Sequence, residues 1–132
     1  GAQAAINSVH IENCTFNDLP SLNPTQYYFI DFRDEVSVGS MTMKNSIIGR
    51  AWDEGLGGTE AYGWRAAPGT SLNVSSSYIT SDYTPNTSNE ISATLYNGAS
   101  TALWIDPDNG DFRFKDNGFS GKDIAGDPRW RE

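Results

Sequence analysis

Apolar and polar residues alternate in short segments of this chain, and the same pattern returns along it. In each segment apolar residues stand at the first, third and eighth places, with small or amide-bearing residues at the fifth and sixth. Alternation at every second residue predicts a strand with one buried face, and the polar pair predicts a corner that leads into a second strand. The apolar sets of the four copies are Val9, Ile11 and Phe16; Met41, Met43 and Ile48; Leu72, Val74 and Ile79; and Phe112, Phe114 and Phe119.

The copies recur with a period of about 31 residues, with a longer connection before the last one. We therefore expect equivalent strands to lie side by side in parallel and the polar corner residues to form a hydrogen-bond ladder between coils. The period predicts an all-β fold, a short parallel β-helix of about three to four coils, as a single domain over residues 1–132. An antiparallel β-sandwich is the rival interpretation, but it does not explain the recurring corner. The expected ladder residues are Asn13, Asn45, Ser76 and Asp116.

A second set of strands follows the corners at the same spacing. The segments predicted to stack are 28–33, 60–65 and 91–96. Their side chains would alternate between the core and the outer surface. The expected inward columns are Ile30, Tyr62 and Ala93, together with Phe32, Trp64 and Leu95.

The two ends of the predicted stack differ. Residues 122–130 are predicted to form a C-terminal cap in which Trp130 covers the final coil, whereas residues 2–8 contain no comparable segment. We therefore expect the first coil to present an open face, covered by preceding coils of the parent protein or by end-to-end self-association. Gly1 is interpreted as a remnant of tag removal.

Composition and charge exclude several classes of partner. The formal net charge is −8 and the pI is about 4.4, so the field of the protein repels nucleic acids and anionic membranes. No segment approaches the ~20 consecutive apolar residues of a membrane-spanning helix, so this domain is not expected to insert into a bilayer. The single cysteine, Cys14, cannot form an internal disulfide and is interpreted as a buried small side chain.

Two passages carry a resemblance to known families. Residues 104–114, with the sequence WIDPDNGDFRF, are similar to a C-terminal sequence of bacterial parallel β-helix proteins of the pectate-lyase-like superfamily. Residues 126–130 (GDPRW), together with 45–48 (NSII), resemble an uncharacterised domain family at the C-terminus of surface lipoproteins from glycan-degrading gut bacteria. The resemblance implies a right-handed β-helix, an extracellular or cell-surface location (an outer-membrane lipoprotein or a secreted protein) and a role near polysaccharides. It implies no specific reaction.

No complete catalytic or metal site is found in the sequence. Arg33 and Arg65 on adjacent coils could grip a carboxylate, or they could simply pair with neighbouring acidic residues on the surface. A Ca²⁺ cofactor is supported only by a fragment of a calcium loop, and a type I turn before the last strand is the preferred interpretation of these residues. The residues of that fragment are Asp106, Asp108 and Asp111.

The composition of the outer surface favours a non-catalytic module that binds a polysaccharide or oligosaccharide, with a neutral glycan preferred over an acidic one because of the net charge. The repeat places Trp52 beside Tyr83, where they would form a stacking platform, although aromatic residues in such a fold also fill the core. Two alternatives stay open: a lyase or hydrolase fragment whose site is completed by missing coils, and a purely structural cap of a longer β-helix. The candidate ligand-binding residues are Arg33, Arg50, Trp52, Arg65, Tyr83 and Tyr96.

Overall fold

The computed structural model describes residues 5–22, 27–87 and 90–131, and Gly1 lies outside these ranges. The described part is an all-β protein with one short helix, α1 (Ser100–Leu103). No helix in these ranges is long and apolar enough to cross a membrane. The strands are β1 (Ala5–Glu12), β2 (Thr15–Phe16), β3 (Tyr28–Asp31), β4 (Ser37–Lys44), β5 (Ile47–Ile48), β6 (Tyr62–Arg65), β7 (Leu72–Ser75), β8 (Tyr78–Ile79), β9 (Thr94–Leu95), β10 (Trp104–Asp106) and β11 (Asp111–Phe114).

The first sheet confirms the predicted stacking of equivalent strands. Its order is β1-β4-β7, with both pairs parallel. Ile11 pairs with Met43, and Met43 pairs with Val74. Residues that are equivalent in the sequence repeat are therefore neighbours in space. Among the described residues, β10 and β11 form the only antiparallel pair, which disfavours the sandwich interpretation.

A second parallel sheet has the order β2-β5-β8-β9, and a third consists of β3 and β6. In the second sheet Phe16 pairs with Ile48 and Ile48 with Ile79, as the repeat predicts. These side chains join the main hydrophobic cluster, which we call the inner core. Its fully enclosed members include Met41, Met43 and Ile48, each with 0% exposure. Burial of such side chains is the main force that holds the stack together.

The corner ladder forms one residue later than predicted. The N–H of Cys14 donates to Ser46 Oγ (3.2 Å), 32 residues ahead, and the N–H of Ser46 donates to Ser77 Oγ (3.1 Å), 31 residues ahead. Asn13 and Asn45 instead adopt left-handed backbone conformations, with φ of 57° and 50°. Asn is among the residues that tolerate this region best, so the amide residues make the bend while the next side chain bonds the adjacent coil.

The third sheet departs from the expected register. Ile30 pairs with Trp64 rather than with Tyr62, and Arg65 lies beside Asp31, 34 residues earlier. The cause is the connection between β5 and β6, which is longer than the one between β2 and β3. The exposed loop 53–60 therefore shifts the next strand along its neighbour.

Beyond β8, the strand positions predicted for the third and fourth copies of the repeat were wrong. The segment 91–96 was expected beside β6, but β9 pairs with β8, and Pro85 takes the place beside Ala61. The residues expected to form a fourth parallel coil instead contain the strand β11, which pairs antiparallel with β10. The turn sequence between β10 and β11 reverses the chain within four residues, so β11 returns along β10 and cannot add to the parallel stack.

The C-terminal segment packs along the second sheet, and its Trp130 contacts a residue of the last copy, although that copy does not join the parallel sheets. The N–H of Gly126 donates to the Asn45 carbonyl (2.9 Å), and the N–H of Asp127 donates to Thr15 Oγ1 (2.8 Å). Trp130 makes an edge-to-face contact with Phe112, with ring centroids 5.7 Å apart. This packing encloses a second hydrophobic cluster, the outer core, made of Ile47, Leu103, Trp104, Phe119 and Ala125.

Candidate functional site

The predicted binding residues do not form one site. The structure places them in an open cleft around Trp52, on a patch around Arg65, in a second cleft around Tyr96, and in the core. The six residues are Arg33, Arg50, Trp52, Arg65, Tyr83 and Tyr96.

The first cleft has a volume of about 280 Å³, and we call it the Trp52 cleft. Trp52 is 48% exposed, so of the two interpretations of this residue the surface position applies. Its backbone is fixed from both sides, because its N–H donates to the Pro20 carbonyl (3.0 Å) and its own carbonyl accepts from the N–H of Leu22 (2.7 Å). An exposed indole on a fixed backbone offers a flat apolar surface at a small entropic cost. The cleft is lined by Asp18, Arg50, Ala51, Trp52 and Asp53.

Arg50 is held in this cleft by two carboxylates. Its Nε donates to Asp18 Oδ1 (2.6 Å), and its Nη1 donates to Asp108, from the turn between β10 and β11. The hydrogen bond to Asp18, followed by the contact with Asp108, raises the pKa of Arg50 above its ordinary value. Asp53 also lines the cleft, so the lining contains two carboxylates and one guanidinium, and its net formal charge is negative.

Arg65 lies on the outer face of β6, in a patch that also contains Asp31, Tyr28 and Tyr62. Its Nε and Nη2 donate to the two carboxylate oxygens of Asp31 (2.9 and 3.0 Å), and its guanidinium lies 4.6 Å from the centre of the Tyr28 ring. The hydrogen bonds from Arg65 lower the pKa of Asp31. Arg33 is exposed on the adjacent turn, where its N–H also donates to Asp31 (2.8 Å). Arg65 is therefore better described as paired with an acidic neighbour on the surface, the alternative interpretation, than as free to bind a ligand carboxylate.

Tyr83 is part of the inner core and forms no platform with Trp52. It is 1% exposed, and its burial raises the pKa of its hydroxyl. The reason is local: residues 81–83 form a 3-10 turn, and Thr84 follows in a left-handed conformation. At the equivalent place Trp52 instead forms a parallel β-bridge with Ser21, so the repeat offset fails to predict where the Tyr83 ring lies.

Tyr96 borders a second cleft, of about 270 Å³, which we call the Asp116 cleft. The Tyr96 hydroxyl donates to Asp116 Oδ2 (2.7 Å), and burial together with this hydrogen bond raises the pKa of Tyr96 to about 12. Asp116 was expected at a corner of the stack, but it lies where the C-terminal segment folds back over β8 and β9. No repeat relates the turn 116–120 to β9, so the sequence pattern gave no signal for this cleft.

The carboxylates of the suspected calcium loop are separately engaged. Asp108 pairs with Arg50, Asp111 pairs with Arg113 Nη2 (2.6 Å), and Asp106 accepts a hydrogen bond from Asn109 (2.8 Å). Residues 107–109 form a tight 3-10 turn before β11. In the described ranges no group of three or more His, Cys, Asp or Glu residues is arranged to hold a metal ion.

These observations define an all-β protein with two small surface clefts that combine aromatic rings with carboxylates. The chain belongs to the family described as Domain of unknown function (DUF5123), whose model matches residues 9–130. The searches of curated proteins and of solved structures found no match for this chain.

Proposed function

We propose that this chain is a non-catalytic module that binds a polysaccharide through the Trp52 cleft. The observation that carries the proposal is the exposed Trp52 ring inside a cleft lined by Asp18, Arg50 and Asp53. An indole face covers the C–H surface of a sugar ring, and neighbouring carboxylates accept hydrogen bonds from its hydroxyls.

The charges around Trp52 favour a neutral glycan. Arg50 already donates to Asp18 and Asp108, so much of its hydrogen-bonding capacity is occupied before a ligand arrives. The carboxylate of Asp53 stands at the same cleft. An acidic sugar would meet an excess of negative charge there and in the protein as a whole, which carries a formal charge of −8.

We also propose that the three parallel sheets are the faces of a short right-handed parallel β-helix of the pectate-lyase-like kind. The parallel pairing of equivalent residues and the inner core between the sheets support this architecture. Crossover connections between parallel strands are right-handed in nearly all proteins, which supports the hand. An experimental structure in which β1, β2 and β3 do not surround the inner core would contradict it.

A surface or secreted location of the parent protein completes the proposal, and the resemblance of residues 126–130 to surface lipoprotein domains supports it. The coding sequence upstream of this domain provides the test. A lipobox or another export signal is expected there, and a parent protein retained in the cytoplasm would contradict this location.

Affinity electrophoresis in gels that contain a neutral polysaccharide tests the binding proposal. Xylan, galactomannan and mixed-linkage glucan serve as neutral probes, and polygalacturonate serves as the acidic one. We expect at least one neutral probe to retard the protein, and Trp52→Ala to weaken that binding by about tenfold, because the stacking surface is lost. The same gels with EDTA decide whether Ca²⁺ contributes.

Tyr27→Ala is the matched control, because Tyr27 is 51% exposed and lies outside the Trp52 cleft. It should leave the retardation unchanged. If Trp52→Ala binds as the unmodified protein does, or if only polygalacturonate retards the protein, the proposed site is wrong.

A further inference from the structure

The Asp116 cleft has an aromatic wall that the surrounding chain holds in place. The rings of Tyr78 and Tyr96 both meet Phe119 edge to face, with centroids 4.8 and 5.5 Å away. A side chain at Gly121 would place its Cβ 2.5 Å from the Tyr78 ring and 2.6 Å from the Phe119 ring. The glycine therefore permits the turn to approach these rings, and the wall depends on it.

The polar side of the same cleft is also organised before any ligand binds. Asp116 Oδ2 accepts a hydrogen bond from the Tyr96 hydroxyl (2.7 Å), and Oδ1 accepts one from the N–H of Gly118 (2.9 Å). A carboxylate offers about four acceptor positions, so two remain for a ligand. The side chains of Asn97 and Ser120, both in exposed residues at the edge of the cleft, add neutral donors and acceptors.

The charge of the cleft narrows the class of ligand. Asp116 is the only charged residue among those that line it in the described part of the chain, so no cation is present to hold an acidic group. The volume of about 270 Å³ lies just below the usual range of small-molecule sites and fits one ring rather than an extended chain. A ligand must therefore be small and neutral, with an apolar face and several hydroxyl donors.

We propose that the Asp116 cleft is a second carbohydrate site, which binds one neutral pyranose ring independently of the Trp52 cleft. The aromatic wall contacts the C–H face of the sugar, and Asp116 accepts its hydroxyl hydrogens. The ligand class is shared with the proposed function, but none of the residues is, so each site can fail without the other. A domain with two such sites would bind a long polysaccharide more tightly than either site alone.

Backbone amide spectra of the labelled protein, titrated with free sugars, test this second site. The probes are glucose, galactose, mannose and xylose, with glucuronic acid as the acidic probe. We expect at least one neutral sugar to shift the amide signals of Asn97, Gly118 and Ser120 in a saturable manner. Glucuronic acid should bind at least fivefold more weakly than that neutral sugar, as measured from the same signals, since its carboxylate would face Asp116.

Two variants decide whether the cleft is responsible. Ser120→Trp fills the cleft and should abolish the saturable shifts, whereas Ser92→Trp puts the same bulk on an exposed residue outside the cleft and should leave them unchanged. Asn97→Ala should weaken binding roughly threefold to tenfold through the loss of one hydrogen bond. Trp52→Ala should have no effect on these signals.

The inference is overturned if no neutral sugar shifts the three amide signals, or if the shifts persist in Ser120→Trp. It is also overturned if Trp52→Ala removes them, because the two clefts would then not be independent. Failure of the proposed function appears differently, as unchanged polysaccharide retardation in Trp52→Ala. The two results can therefore be told apart.

Discussion

Two adjacent residues at each corner have different structural roles. The first, Asn13 or Asn45, turns the backbone in a left-handed conformation, and the N–H of the second, Cys14 or Ser46, bonds the equivalent serine of the next repeat. The Ser46 hydroxyl donates to the Lys44 carbonyl (2.9 Å) while it accepts from the N–H of Cys14. Buried polar groups at a bend are thus satisfied by one small side chain.

Replacing Ser46 with alanine should destabilise the protein by about 1–3 kcal/mol. Ser46 is 0% exposed, so the N–H of Cys14 would lose its acceptor where water does not easily replace it. Urea denaturation measures the change, and Ser40→Ala, at an exposed serine of β4, is the control. Equal stability of the two variants would show that the ladder contributes nothing.

The ion pair between Arg65 and Asp31 should be detectable as a lowered pKa of Asp31. Replacing Arg65 with glutamine should raise the pKa of Asp31 towards its ordinary value, because the hydrogen bonds that favour the carboxylate are lost. Carboxyl NMR titration measures this pKa, and Arg113→Gln, which disrupts only the pair with Asp111, is the control. An unchanged Asp31 pKa in Arg65→Gln would contradict the pairing.

The sign of the pH effect follows from the lowered pKa. A carboxyl with a folded-state pKa below its unfolded-state value stabilises the protein above the unfolded-state pKa, and this contribution is lost as the pH falls through the folded-state pKa. The stability difference between the unmodified protein and Arg65→Gln should therefore be largest near neutral pH and shrink in acid. A difference that grows on acidification would contradict this.

At the scale of elements, the second sheet has a hydrophobic cluster on each face. Ile48 faces the inner core and its neighbour Ile47 the outer core, so β5 is enclosed on both sides. Period-two alternation would leave Ile47 on the surface if the C-terminal segment did not cover it. The covering residues approach the sheet closely at Gly49, where a Cβ would lie 2.6 Å from the Trp104 ring; it would also lie 2.3 Å from Asn17 Oδ1.

Replacing Gly49 with alanine should therefore cost about 1–3 kcal/mol through overpacking. The clash would push Trp104 away from the sheet, so the near-ultraviolet circular dichroism signal of the buried indole should also weaken. Gly118→Ala is the control, since its Cβ would meet only Asp116 Oδ1, at 3.3 Å. If Gly49→Ala is as stable as the unmodified protein, the close contact with Trp104 is wrong.

At the scale of the whole molecule, the two cores share the strand β5 and should fold as one cooperative unit. The last segment also reaches back across the chain, as the hydrogen bond between Asp127 and Thr15 joins residues 112 positions apart. Such long-range contacts couple the C-terminal segment to β2. The domain is small enough for two-state unfolding to be the ordinary expectation.

A variant with Trp52 and Trp64 replaced by phenylalanine tests this cooperativity, since its fluorescence reports only Trp104 and Trp130. Its fluorescence and far-ultraviolet circular dichroism transitions in urea should coincide. In that background, Met43→Ala in the inner core and Leu103→Ala in the outer core should each lower the free energy of unfolding by about 2–5 kcal/mol, and the single transition should remain. Two separate transitions, or an effect of Leu103→Ala on fluorescence alone, would show that the cores unfold independently.

The sequence by itself determined the parts of the molecule in which residues one repeat period apart lie side by side. The repeat predicted the columns that contain Ile11, Met43 and Val74, because stacked strands bring residues one period apart together. The tertiary structure decided where the repeat ends. A longer loop shifted β6, and a local turn buried Tyr83. The return of the C-terminal segment created the outer core and the Asp116 cleft, because contacts between unrelated segments leave no periodic trace in the sequence.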